Sequence, residues 1–124
     1  MASSALRDRR ILVVEDEYLI AMSLADALQN AGSVVVGPVP SVDKAIQKIE
    51  LEPHIDAAVV DVNLGGVLAY AVADMLIARK IPFVFTSGYE DNALRNRYAQ
   101  VKNCPKPYLF RAMEEALVEA MSHS

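Results

Sequence analysis

Four short apolar runs in this chain each stop at a residue able to do chemistry, and no other feature of the sequence narrows the fold as much. Ile11-Leu12-Val13-Val14 stops at Glu15 and Asp16, Ala57-Ala58-Val59-Val60 at Asp61, and Phe83-Val84-Phe85 at Thr86 and Ser87. A weaker stretch, residues 101–104, passes through Pro105 into Lys106. Apolar runs without alternation suit strands covered on both faces. As parallel strands of one sheet they gather their C-terminal residues along one rim, where open α/β sheets place their ligands.

Helical patterns separate the runs. Ile20, Leu24, Leu28 and Ala31 recur at helical spacing after the first run, and Gly32 is a natural stop. Residues 34–36 read as a second strand, closed by Gly37 and Pro38. Ser41 is placed to cap a second helix whose buried stripe is Val42, Ala45, Ile46 and Ile49, with Asp43 in the first turn. Gly65 and Gly66 open a loop before a third, largely apolar helix over residues 68–79. A short polar helix is expected around residues 92–98 and a last helix over about residues 109–121. This alternation predicts a parallel sheet with helices on both faces. Right-handed crossovers allow the order 2-1-3-4-5, a flavodoxin-like doubly wound α/β fold of five strands and five helices. Strand five then lies at an edge, where Pro105 is tolerated.

A chain of 124 residues makes one domain. Residues 10–122 are expected to form it. Residues 1–9, with Arg7 and Arg9 leading to Arg10, read as a flexible, solvated N-terminal segment. The net charge of −4 gives no general attraction to nucleic acid or to an anionic membrane surface. No apolar stretch is long enough to span a bilayer. The lone Cys104 rules out an intramolecular disulfide, and a cytoplasmic location is expected.

Strands one and three are neighbours in this order, so Glu15, Asp16 and Asp61 converge. Two carboxylates about 4 Å apart repel by about 4 kcal/mol at an effective dielectric near 20. Such a cluster holds a proton, meets a cation or binds a metal. An all-oxygen set without His or Cys favours Mg²⁺. Asp61 is the candidate nucleophile for a phosphoryl group. Lys106 is placed to neutralise phosphoryl oxygens, the Thr86 hydroxyl to donate to one of them, and the small Ser87 and Gly88 leave room for a donor.

Taken in order, these residues resemble the response regulator receiver domain of two-component signalling, from about Arg10 to Met121. The resemblance makes Glu15 and Asp16 the acidic pair, Asp61 the phosphoacceptor, Thr86 the switch hydroxyl, and Lys106-Pro107 the family's Lys-Pro with a cis bond. It implies that the Asn63 backbone carbonyl joins Glu15, Asp16 and Asp61 around Mg²⁺. It also implies phosphotransfer from a sensor histidine kinase or phosphotransfer protein, with signalling to an unknown protein target by conformational change. Direct nucleic-acid binding and membrane association are not expected, and a homodimer is left open. Most receivers carry an aromatic residue three positions before the lysine; this chain has Asn103. Residues 83–89 and the loop from Asp61 to Gly66 resemble instead a subgroup with a Phe-Ala-Thr-Gly-Tyr-type fourth strand. Phosphorylation is then expected to reorder residues 87–98 and the weak fifth strand, with Thr86 and Tyr89 as switch residues.

Two alternatives share parts of the pattern. One is a degenerate receiver acting only as a binding module. The other is a haloacid-dehalogenase-like phosphatase, which needs a second acid two residues after the nucleophile, where this chain has Asn63. The domain is expected to be a signalling phosphoacceptor rather than an enzyme acting on other substrates.

Overall fold

The computed structural model describes residues 5–88 and 97–122. Five parallel strands form the central sheet: β1 (Arg10–Val14), β2 (Val34–Val39), β3 (Ala57–Asp61), β4 (Phe83–Ser87) and β5 (Asn103–Pro105), in the order β2-β1-β3-β4-β5. Four helices are present among the described residues: α1 (Tyr18–Asn30), α2 (Val42–Leu51), α3 (Tyr70–Ala78) and α4 (Phe110–Ser122). The fold is therefore flavodoxin-like. The short helix expected over residues 92–98 lies, but for its last two residues, outside the described ones.

The apolar runs are buried on both faces because successive side chains alternate between two cores. Ile11, Val13, Ala57, Val59 and Val84 face α1 and α4, where Leu24, Leu28, Met113 and Leu117 close over them. Leu12, Val14, Ala58, Val60 and Phe85 face α2 and α3, where Ala45, Ile49, Val72 and Leu76 complete the second core. Ser41 caps α2 as expected, its Oγ accepting from Lys44 N at 3.2 Å. On the second face Tyr98 packs edge-on against Phe85 with ring centroids 5.7 Å apart. Its hydroxyl donates to Asp74 Oδ1 of α3 at 2.5 Å. Burial, with the Asp74 charge adding to it, pushes the Tyr98 phenol up to about 12.

Several boundaries differ from the sequence reading, each for a local reason. β2 continues through Gly37 and Pro38 to Val39, and its register against β1 shifts between Leu12 and Val14. As an edge strand it tolerates the proline. Gly37 has φ +93°, and a Cβ there would lie 2.9 Å from Val39 N, so only glycine fits this irregularity. The loop after β3 is a small hairpin, Asn63–Leu64 pairing antiparallel with Val67–Leu68. Gly65 and Gly66, at φ +64° and +92°, supply the two left-handed residues of its turn. α3 accordingly starts at Tyr70 rather than at residue 68.

Of the N-terminal segment expected to be flexible, residues 1–4 lie outside the described residues, and the rest packs against the domain. Residues 5–8 form a turn, Leu6 is completely buried in the α1–α4 core, and its carbonyl accepts from Ser33 Oγ at 2.7 Å. Asp8 N donates to Gly32 O at 2.8 Å. Two of the arginines have acidic neighbours: Arg10 pairs with Glu52 at 3.3 Å, and Arg9 lies 3.8 Å from Asp56. One apolar side chain, seated over the end of α1, holds a segment that its charges alone would leave in solvent. Leu6→Ala is therefore expected to lower stability by about 2–5 kcal/mol. Urea unfolding checks this; a loss below about 0.5 kcal/mol would mean that the segment is solvated after all.

Candidate functional site

The register fixes which side chains meet. Val14 pairs with Val60, so the next step along the strands sets Glu15 level with Asp61; Asp61 pairs with Thr86, and Thr86 with Cys104. Glu15, Asp61, Thr86 and Lys106 thus share the alternation of Val13, Val59, Val84 and Cys104, the side of the sheet facing α1 and α4.

Lys106 closes the group. Its Nζ lies 2.8 Å from Glu15 Oε1 and 2.8 Å from Asp61 Oδ2, with all three side chains at least nine-tenths buried. Burial pushes the Glu15 carboxyl up to about 7 from an ordinary 4.5; the Lys106 ammonium opposes the rise, and the Asp61 carboxylate adds to it. Burial also works against the charged form of Lys106, but hydrogen bonds to Asp61 and Glu15 outweigh it and hold the ammonium above its usual range. Cation and carboxylates each make the other's burial tolerable.

Backbone amides finish the acidic side. Asn63 N donates to Asp61 Oδ1 at 3.1 Å, Glu17 N to Glu15 Oε2 at 3.0 Å, and Gly65 N to Asp16 Oδ2 at 3.1 Å. The last bond ties the glycine hairpin to the acidic pair. The Asn63 side chain is engaged locally, its Oδ1 accepting from Gly66 N at 2.7 Å. Asp16 is exposed at the rim. The Lys106–Pro107 bond is cis.

β4 ends in two hydroxyls directed to opposite faces. Thr86 is 1% exposed, and its Oγ1 has no hydrogen-bond partner among the described residues. Ser87 Oγ donates to Asn103 Oδ1 at 3.3 Å. Tyr89, expected as a switch residue, lies outside the described residues.

One carboxylate escaped the sequence reading. Glu17 Oε1 is 3.4 Å from Lys106 Nζ, and carboxylate oxygens of Glu15, Asp16, Glu17 and Asp61 all lie within 4.8 Å of one another. In sequence, an acid just ahead of a helix reads as a partner of the helix dipole. Only the third acid in the row after an apolar run hinted at more. Four hard oxygen donors with no nitrogen or sulfur suit a divalent cation of the magnesium kind.

Glu15 dictates a pH dependence. The folded state holds its proton more tightly than the unfolded chain. On this group's account, stability is fully present below pH 4.5 and is lost as pH rises through 7. With a chelator present, the urea midpoint of wild type should fall relative to that of Glu15→Gln across this window. Parallel midpoints would show that Glu15 keeps no such proton.

Comparison with known proteins agrees with this geometry. A family model for the response regulator receiver domain matches residues 11–109. The solution structure of SdrG from Sphingomonas melonis Fr1 has 40% sequence identity, covers 97% of this chain and 99% of that one, and superposes with a TM-score of 0.81. SdrG from Pseudomonas melonis Fr1 in its BeF3-activated conformation has 38% identity, covers 98% and 99% of the two chains, and gives a TM-score of 0.76. The receiver domain of the sensor histidine kinase PA1611 from Pseudomonas aeruginosa PAO1, with a magnesium ion coordinated in its active-site cleft, has 20% identity. It covers 93% and 98% of the two chains at a TM-score of 0.79, a likeness of fold alone. No curated protein sequence gives a significant match.

Proposed function

The chain belongs to the response regulator receiver domain family, and from that premise we propose that Asp61 accepts a phosphoryl group from a protein phosphohistidine and that the modified domain signals to a protein target. The observation that carries the reading is the buried Lys106 ammonium held 2.8 Å from both Glu15 and Asp61 at the rim of the sheet. The donor is a sensor histidine kinase or phosphotransfer protein. Of this chain's own histidines, His123 lies outside the described residues. His54 is bound to Asp56 at 2.8 Å, beside the N-terminal end of β3, away from the rim.

In the reaction an Asp61 carboxylate oxygen bonds to phosphorus as the P–N bond to the donor imidazole breaks, and the electron pair leaves with the imidazole. Asn63 N and Lys106 orient the carboxylate beforehand, so little is left to rearrange. The ammonium then shifts to a phosphoryl oxygen while keeping Glu15 as its counter-charge. Glu15, Asp16, Asp61 and the Asn63 backbone carbonyl would hold Mg²⁺, which when bound supplies further neutralisation of the phosphoryl oxygens. The oxygen-only donor set fits that ion.

A hydroxyl from the end of β4 completes the site. Thr86 is favoured by its register with Asp61 and by an Oγ1 that lacks a partner among the described residues. Ser87 is the second reading, since the Phe-Ala-Thr-Gly-Tyr pattern laid on residues 85–89 sets its threonine there, and its Oγ already leaves the strand for Asn103. A generic phosphatase is not favoured, because Asn63 offers no general acid and its side chain is bound to Gly66.

Phosphotransfer from a panel of autophosphorylated kinases tests the proposal. Acid-labile labelling is expected in wild type with Mg²⁺, and is expected to vanish in Asp61→Asn or with a chelator. Undiminished label on Asp61→Asn would remove Asp61 as acceptor. Comparing Thr86→Val with Ser87→Ala assigns the hydroxyl: the variant that uncouples phosphorylation from the conformational change has lost the working one.

A further inference from the structure

The carboxylate that the sequence reading missed has a placement that calls for its own role. Glu17 precedes α1 with extended backbone, φ −83° and ψ 109°, and its carbonyl accepts from Ala21 N at 2.9 Å. Short polar side chains are favoured at such a position because they accept from the amides of the first turn. Glu17 makes no such bond. Its side chain turns across the site to Lys106, at 3.4 Å, and remains 61% exposed where Glu15 is 4% and Asp61 6% exposed. A residue that gives up its local role for a contact across a site is where function overrides local preference.

Charge points the same way. Within the cluster, four carboxylates face one ammonium. A divalent cation and Lys106 together offset three of them. Glu17 is left over, and its exposed carboxylate has an oxygen within 4.8 Å of one on buried Asp61. An anion approaching Asp61 must pass within a few ångströms of it, well inside the screening length of about 8 Å at physiological salt.

We propose that Glu17 is a specificity-determining residue of the phosphoacceptor site: its carboxylate at the mouth discriminates against dianionic small-molecule phosphodonors and reserves Asp61 for a phosphohistidine delivered by a protein surface with its own positive charge. The inference rests on Asp61 being the acceptor. The chemistry is the same for any donor: an Asp61 oxygen bonds to phosphorus while the donor's P–O or P–N bond breaks. Acetyl phosphate releases acetate, and phosphoramidate releases ammonia. What differs is the charge of the incoming molecule, a dianion for acetyl phosphate and chiefly a monoanion for phosphoramidate near neutral pH. The repulsion from Glu17 scales with that charge.

The test compares initial rates of Asp61 labelling by these two donors in the full chain with Mg²⁺, for wild type, Glu17→Gln and Asp61→Asn. Glu17→Gln is expected to speed labelling by acetyl phosphate about fivefold and by phosphoramidate about twofold, with both gains shrinking in about 0.5 M salt. Glu17→Ser, which supplies a short capping hydroxyl to α1, should give the same pattern and so separates charge from any effect on the helix. Unchanged rates, or an equal gain with both donors, would overturn the proposal. An equal slowing with both donors would overturn it too, by making Glu17 a metal ligand. If wild type takes no more label than Asp61→Asn, the acceptor reading fails as well, an outcome distinct from failure at Glu17 alone.

Discussion

One lysine ammonium held between two buried carboxylates sets the terms for the rest of this structure. Removing a charge from water costs several kcal/mol per ion even after relaxation, so Lys106, Glu15 and Asp61 stay buried only while they remain together. They come from the residue after β1, the end of β3 and the residue after β5, with β4 lying between the last two strands. At about 4.8 Å per strand, Asp61 is two spacings from the lysine's strand and Glu15 three. The long side chains, lysine and glutamate, come from the two far strands, and the short aspartate from the one between them. An aspartate at position 15 would be one methylene shorter across the widest gap. The small Thr86 and Ser87 at the end of β4 leave the lysine a path over that strand.

The alternation of the sheet explains why the site could be read from sequence while its surroundings could not. Glu15, Asp61, Thr86 and Lys106 each continue an apolar run, and the register gives them one side of the sheet. That much is written locally, because a run of strand-forming residues fixes direction and its end fixes the rim. Leu6 carries no such mark. A single leucine between Ala5 and Arg7 has no periodicity, and its burial depends on α1 and α4 folding over it. The same holds for Arg10, whose partners Glu52 and Asp56 lie more than forty positions away. Gly65-Gly66 was legible as a turn, but not as a hairpin that donates an amide to Asp16. Glu17 was hidden for the opposite reason: an acid ahead of a helix already has an ordinary explanation.

β4 is the strand through which the site meets the other core. Thr86 and Ser87 stand side by side yet face opposite ways, so one strand end touches both layers. The enclosed Thr86 hydroxyl has no partner among the described residues, and an enclosed hydroxyl left so costs about 1–3 kcal/mol. Ser87 spends its hydrogen on Asn103, the position where the family resemblance sets an aromatic ring. The aromatic bulk on this face comes from another place. Tyr98 packs against Phe85, one residue before Thr86, and is fastened to α3 through Asp74 and by the Arg97–Asp74 pair at 2.9 Å. Arg97 also lies over the Tyr70 ring at 4.8 Å. Because interiors are packed as densely as crystals, a shift at the end of β4 must be met at Phe85, and a shift of Phe85 at Tyr98. Phe85 thus joins the end of β4 to α3 through Tyr98, while Ser87 and the strand pairing tie the same end to β5 at Asn103.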